Sequence, residues 1–186
     1  MSITFSETSL QGLVIINPHQ FNDGNFHLKK YFEEDVFIQQ GLPAHFSEFN
    51  EIKYQKGVLR GLHYQRSPSQ GKLLYIISGS VFIAAIDLRD DSVTFGKTEC
   101  FLFSDNQQRA IYIPEYFANG VLAMENNTII SYGCVGKFIP ENCGGIIWND
   151  VDLDISWPID ILNAPLKISG KDNNLQTLKQ YVESYR

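Results

Sequence analysis

Apolar residues in this chain come in short runs, several alternating with polar residues, and turn-forming residues interrupt them at roughly ten-residue intervals. Leu13 to Ile16 is apolar and stops at Asn17-Pro18, and Lys72 to Ile77 stops at Ser78-Gly79. Ser80 to Asp87 is β-branched and aromatic and breaks at Arg89-Asp90-Asp91-Ser92. Thr98 to Phe103 ends at Ser104-Asp105-Asn106, and Arg109 to Ile113 ends at Pro114. Gly120 to Met124 runs into Glu125-Asn126-Asn127, a turn that predicts a hairpin with Thr128 to Val135. Strands at this spacing predict an all-β sandwich or barrel. Helical periodicity is weak. Residues 31 to 40 carry a turn or two, and Leu175 to Tyr185 predicts a short helix with Leu178, Val182 and Tyr185 on one face. No helix of crossover length separates the strands, which argues against a parallel α/β sheet. No repeat, low-complexity tract or linker divides the chain, so residues 1–186 are expected to form one domain. Its N-terminal arm is expected to be loose and able to pair as a strand with a second subunit.

Composition narrows the class. With 186 residues, 44% of them hydrophobic, the chain is long enough to bury a core. A formal net charge of −6 argues against general nucleic-acid binding, which needs a basic face. It leaves room for one nucleotide in a locally basic pocket. Cys100, Cys134 and Cys143 form no Cys-x-x-Cys pair and read as reduced thiols. The opening residues lack a basic region followed by an apolar run, and no stretch approaches the roughly 20 apolar residues of a membrane span. The expectation is a cytoplasmic protein without a membrane segment.

Residues 57 to 65 read Gly-Val-Leu-Arg-Gly-Leu-His-Tyr-Gln, which sets Arg60 and His63 inside an otherwise apolar strand pattern. Burying unpaired charge is costly, so this pair suggests an anionic ligand. Arginine offers a rigid fork to phosphate or carboxylate, and histidine exchanges a proton near neutral pH. A strand-end histidine satisfied by a neighbour would give the same pattern. Metal chemistry is disfavoured: a cupin-type barrel site wants a His-x-His pair, and His19, His27, His45 and His63 supply none. No Gly-x-Ser-x-Gly elbow, activated cysteine or glycine-rich phosphate loop is present. Metal-free proton transfer remains. It needs a base, an acid on the opposite face, an orienting group and a cation for developing enolate charge. His63, Tyr132, one of Asp87, Asp150 or Asp172, and Lys72 are the respective candidates. Spacing alone does not choose among the aspartates.

These motifs resemble the dTDP-4-dehydrorhamnose 3,5-epimerases, metal-free cupin-fold enzymes of deoxysugar biosynthesis. The resemblance runs across about residues 46 to 172. It rests on Gly57 to Gln65, Gln70-Gly-Lys-Leu73, Asp87-Leu-Arg89, Ser92-x-Thr-Phe-Gly96 and Ile113-Pro-Glu115. Phe117-Ala118, Trp148-Asn-Asp150, Trp157-Pro158 and Ser169-Gly-Lys-Asp172 extend it. It implies a cupin-type jelly-roll β-barrel with short peripheral helices, no cofactor or metal, and a homodimer. It also implies that His63 removes the protons α to a C4 ketone, at C5 and then C3, and that Asp172 holds the imidazole. Lys72 would stabilise the enolate oxygen, Tyr132 would return a proton from the opposite face, and Arg60 would grip the diphosphate of a nucleotide-linked sugar. Gln65, Lys171, Glu48, Asn50, Asn119 and Phe138 are expected to join Arg60 in substrate binding.

Several positions depart from the family pattern. Its Phe-Ala-His-Gly is Phe117-Ala-Asn-Gly120 here, and Asn119 cannot carry charge. The arginine of the N-terminal Asp-x-Arg-Gly is missing from Asp23-Gly-Asn-Phe26, and Leu28 stands near the family's glutamate. Glu48 replaces a glutamine and Phe138 a tyrosine. The changes at the arginine, glutamate and glutamine fall mainly on nucleotide and phosphate contacts, so altered substrate recognition is expected, with Lys29 or Lys30 available as a substitute cation. A mono-epimerase, an epimerase of a non-dTDP sugar nucleotide, a keto-isomerase and a non-catalytic sugar-nucleotide binder are the alternatives.

Overall fold

The computed structural model describes residues 2–185, and β-strands dominate them. One sheet runs β1 (Thr4–Glu7), β2 (Val14–Asn17), β10 (Ala110–Ile113), β7 (Gly71–Ser78), β12 (Thr128–Val135) and β5 (Glu48–Tyr54). The second runs β13 (Cys143–Gly145), β6 (Val58–Gln65), β11 (Phe117–Ala123), β8 (Ser80–Asp87) and β9 (Thr98–Ser104). The short strand β14 (Lys167–Ile168) lies parallel along β6. A separate hairpin joins β3 (His19–Asn22) to β4 (His27–Lys30), and the short helices are α1 (Glu34–Gln39) and α2 (Leu178–Tyr185). The two facing sheets make a cupin-like jelly roll.

Strand alternation explains how the layers pack. In β8, Val81, Ile83 and Ala85 enter the core between the sheets with Leu74, Ile111 and Ile130. The alternate residues Phe82, Ala84 and Ile86 face outward, where Leu153, Trp157, Leu162 and Tyr181 from the C-terminal third cover them. Phe37 of α1, with Phe32 and Phe46, covers the outer face of the first sheet around Ile16 and Leu73. Burial of both faces accounts for β8 reading as an apolar run in which a simple polar–apolar alternation is absent.

Three expectations change. The predicted hairpin over Glu125–Asn127 does not form, because β11 belongs to the second sheet and β12 to the first. The turn is a corner between sheets: Thr128 Oγ1 donates to the carbonyls of Glu125 (2.9 Å) and Ser80 (3.2 Å), and the Met124 N–H donates to Ser80 (2.9 Å). The N-terminal strand is not loose, since β1 pairs antiparallel with β2 of its own chain. The C-terminal helix begins at Leu178, its N-terminus fixed by Asp150 Oδ2, which accepts the Leu178 N–H at 2.6 Å. Tyr181, with Leu178 and Val182, fills the buried face; the side chain of Tyr185 lies outside the described residues.

Candidate active site

A regular strand would send residues three apart to opposite faces, yet Arg60 and His63 both reach the space between the sheets. A β-bulge does this. Arg60 pairs with Val121 and His63 with Asn119, so three steps along β6 oppose two along β11. Gly61 makes the bulge possible: its φ is +116°, and a Cβ there would stand 2.5 Å from Gly120 Cα and 2.7 Å from the Asn119 carbonyl oxygen.

The two side chains line a chamber of about 110 Å³. Asn119 and Val121 of β11 share their wall, and the first sheet supplies the opposite one, with Lys72 and Leu74 of β7, Ile130 and Tyr132 of β12, and Ile52 and Tyr54 of β5. Lys72 Nζ donates to Asn119 Oδ1 at 3.0 Å, a neutral acceptor for a cation that has no acidic partner among the described residues. Burial is the main influence on Lys72 and pushes its pKa below the usual 10.5. Arg60 donates to the Leu59 carbonyl at 2.8 Å and forms no salt bridge among the described residues.

Of the three candidate aspartates, the fold brings Asp172 to His63. Asp172 Oδ1 lies 2.6 Å from His63 Nε2, and the carboxylate is 1% exposed with Oδ2 lacking a partner. The contact spans 109 residues of sequence. It depends on β14, whose Lys167 and Ile168 pair with Val58 and Leu59 and so run the chain along β6 toward His63. Ser169 then sets the last turn, its Oγ accepting the Asp172 N–H at 3.0 Å. Burial lowers the His63 pKa below 6.5, Lys72 and Lys171 push the same way, and the Asp172 hydrogen bond and charge oppose them. Asp150 is occupied with α2 and with the Asp152 N–H at 2.8 Å. Asp87 belongs to a separate network: burial works against its charge, but bonds from Arg89, Ser92 and Thr94 outweigh this and hold its pKa down to about 2.

The other predicted binding residues divide. Asn50 and Glu48 lie on the chamber-facing side of β5, with Asn50 paired to Tyr132 and Glu48 to Cys134. Lys171 is exposed yet close enough for its charge to act on His63. Gln65 is a correction. It is 5% exposed, and its amide is occupied by the carbonyls of Pro68 and Lys137 and the N–H of Ile139, so it braces two loops instead of facing the chamber. Phe138 is 51% exposed and does not line the chamber. Sequence reasoning missed Ile52 and Tyr54. Their signal is the period-two pattern continuing from Glu48 and Asn50 along one strand. Among the described residues, no group of three or more His, Cys, Asp or Glu is placed to hold a metal ion.

Comparison with known proteins agrees with this architecture. A family model described as dTDP-4-dehydrorhamnose 3,5-epimerase matches residues 7–180. The dTDP-4-dehydrorhamnose 3,5-epimerase of Methanothermobacter thermautotrophicus is 40% identical over 176 residues, covering 95% of each chain. The crystal structure of the Elizabethkingia anophelis dTDP-4-dehydrorhamnose 3,5-epimerase matches with a TM-score of 0.90 at 32% identity, over 97% of this chain and 98% of its own. The Legionella pneumophila dTDP-6-deoxy-D-glucose-3,5-epimerase, solved in complex with dTDP-4-keto-L-rhamnose, matches at 0.89 and 32%, over 95% and 93%. With a jelly roll that carries the Arg60–His63 motif into its interior and matches spanning nearly the whole chain, this protein belongs to the dTDP-4-dehydrorhamnose 3,5-epimerase family of isomerases.

Proposed function

We propose that this enzyme inverts C5 and C3 of a nucleotide-linked 4-keto-6-deoxy sugar by proton transfer through an enolate. The observation that carries the proposal is the placement of His63 and Tyr132 on opposite sheets, across one chamber. Inversion requires removal of a proton from one face of a carbon and delivery to the other, and two walls provide those two directions. With Nε2–H donated to Asp172, the neutral imidazole carries its lone pair on Nδ1. Nδ1 takes the C5 proton, and the electron pair of the C–H bond moves to the C4 oxygen, giving an enolate. The Lys72 ammonium stabilises that oxygen. The Tyr132 hydroxyl then gives its proton to the opposite face of C5. Burial first, with Cys134 and Glu48 adding, raises the Tyr132 pKa above 10, so the phenol is protonated at neutral pH. Water restores the proton on Tyr132 and removes the one on His63, and C3 follows by the same steps. Asp172 orients the ring and supports its transient charge, as an orienting carboxylate does. Arg60, without an acidic partner among the described residues, is the cation assigned to the diphosphate.

Substrate recognition in this proposal differs from the family pattern. The N-terminal segment that lacks the expected arginine is the exposed β3–β4 hairpin, where Lys30 pairs with Glu33 at 2.9 Å and Lys29 remains as the substitute phosphate cation. We assign the working form as a homodimer. Support comes from that hairpin, whose Phe21, Phe26 and Leu28 are 51%, 54% and 40% exposed and need a cover.

The test is incubation in D₂O with dTDP-4-keto-6-deoxyglucose, with deuterium read at C3 and C5 by NMR. Label at both carbons is the expected result. Label at one carbon makes the protein a mono-epimerase. No label from dTDP-, GDP- or CDP-linked 4-keto-6-deoxy sugars sinks the catalytic reading and leaves a sugar-nucleotide binder.

A further inference from the structure

The chamber holding His63 and Tyr132 has about 110 Å³ of space, well below the roughly 300–1,000 Å³ of ordinary ligand sites. A second, open groove of about 480 Å³ adjoins it, and four residues line both: Ile52, Tyr54, Arg60 and His63. These four form the partition between an inner compartment with the proton-transfer groups and an outer one reaching Lys53, Gln55 and Val58. Arg60 and His63 already have roles in the proposed reaction. Ile52 offers only hydrocarbon. Tyr54 remains, on the chamber-facing side of β5, and its hydroxyl makes no hydrogen bond within the described residues.

We propose that Tyr54 is the specificity-determining residue of this site: its ring closes the inner compartment around the sugar, and its hydroxyl donates a hydrogen bond to a sugar oxygen. The inference rests on the proposed epimerase reading and deepens it. Ile52, Leu74, Val121 and Ile130 make the chamber wall apolar on either side of Tyr54. A methyl group at sugar C6 fits such a wall, whereas a C6 hydroxyl would lose its water partners there without replacement. Tyr54 therefore restricts the substrate in two ways. Its hydroxyl rewards a sugar with an acceptor at the right place, and its bulk keeps the compartment too small for a C6-oxygenated ring. Burial raises the Tyr54 pKa to about 12, with Tyr132 adding to the shift and Arg60 opposing it, so the group is a donor and not a second acid at neutral pH.

Two variants test this. Tyr54→Phe keeps the ring and its packing. It should raise KM for dTDP-4-keto-6-deoxyglucose about five- to tenfold, the worth of one hydrogen bond, with kcat within about threefold of wild type. Calorimetry with dTDP-6-deoxyglucose, which lacks the ketone and does not epimerise, should show the same loss of affinity. Tyr54→Ala opens the partition and should admit dTDP-4-ketoglucose, whose C6 hydroxyl the wild-type protein rejects, read as deuterium uptake in D₂O. Unchanged affinity in Tyr54→Phe overturns the hydrogen bond, and unchanged selectivity in Tyr54→Ala overturns the size restriction. The calorimetric arm does not need turnover. Failure of wild-type labelling would thus count against the reaction, while an unaltered dissociation constant in Tyr54→Phe would count against Tyr54.

Discussion

His63 sits where three influences on its charge can be separated. Burial, the largest, favours the neutral ring, the positive charges of Lys72 and Lys171 do the same, and Asp172 favours the imidazolium. The net lowering below 6.5 means that the proposed base is in its active, neutral form above that lowered pKa and is lost as pH falls through it. The expected kcat/KM profile therefore has an acid limb below pH 6.5. Its alkaline limb falls below 10.5, because Lys72, with its pKa lowered by burial, loses its charge as pH rises. Asp172→Asn removes the negative charge that raises the His63 pKa, so the acid limb should move to lower pH. Turnover should fall roughly 10²–10⁴-fold in the same variant because the ring loses its fixed tautomer. A pH–rate profile of both proteins checks both statements, and unchanged turnover would remove Asp172 from the orienting role.

At the level of strands, the bulge in β6 matters more than any single polar contact. Gly61→Ala would force a Cβ against Gly120 and Asn119 at a positive φ. The expected cost is about 3 kcal/mol, measured by urea unfolding, with activity lost even where the protein is folded, since Arg60 and His63 would no longer share a face. The turn after β8 links stability to pH. The buried carboxylate of Asp87, at about 2 in the folded chain against 3.8 in the unfolded one, contributes about 2 kcal/mol above pH 4. That contribution disappears as pH falls from 3.8 toward 2, so Asp87→Asn should be less stable at neutral pH and show a flatter acid unfolding profile. The strands themselves were legible in the sequence: Ser80–Asp87 and Thr128–Val135 have the bounds that their β-branched content and flanking turns indicate. The bulge was not, because period-two reasoning assumes an unbroken ladder. The Glu125–Asn127 corner reads as a hairpin because turn residues report a reversal of direction and carry no information about which sheet receives the chain. Likewise Asp87, Asp150 and Asp172 look alike in sequence. Asp87 goes to Arg89 through its own local turn, whereas only the path of the C-terminal segment gives Asp172 to His63 and Asp150 to α2.

Across the whole molecule, the least integrated element is the β3–β4 hairpin. Phe21 pairs across it with Leu28, the Phe21 and Phe26 rings lie 6.3 Å apart, and these apolar side chains face solvent. If this surface is the seam of the proposed homodimer, Phe21→Asp combined with Leu28→Asp should halve the mass seen in sedimentation while leaving each subunit folded; a wild-type monomer would refute the dimer. Homodimerisation was inferable only through family resemblance, since one chain's periodicity cannot reveal a partner. The edge of β6 has a further consequence, one of timing. During synthesis His63 leaves the ribosome long before its carboxylate, and β14, the strand that guides Asp172 into place, is still later than both sheets' principal strands. A nascent chain halted after Ile155 carries the principal strands of both sheets, but its His63 lacks Asp172 and the outer face of β8 lacks Trp157, Leu162 and Tyr181. Competence arrives with the tail, so a protease that clips the segment after Trp157 would take away both the carboxylate that holds His63 and the apolar cover of the second sheet.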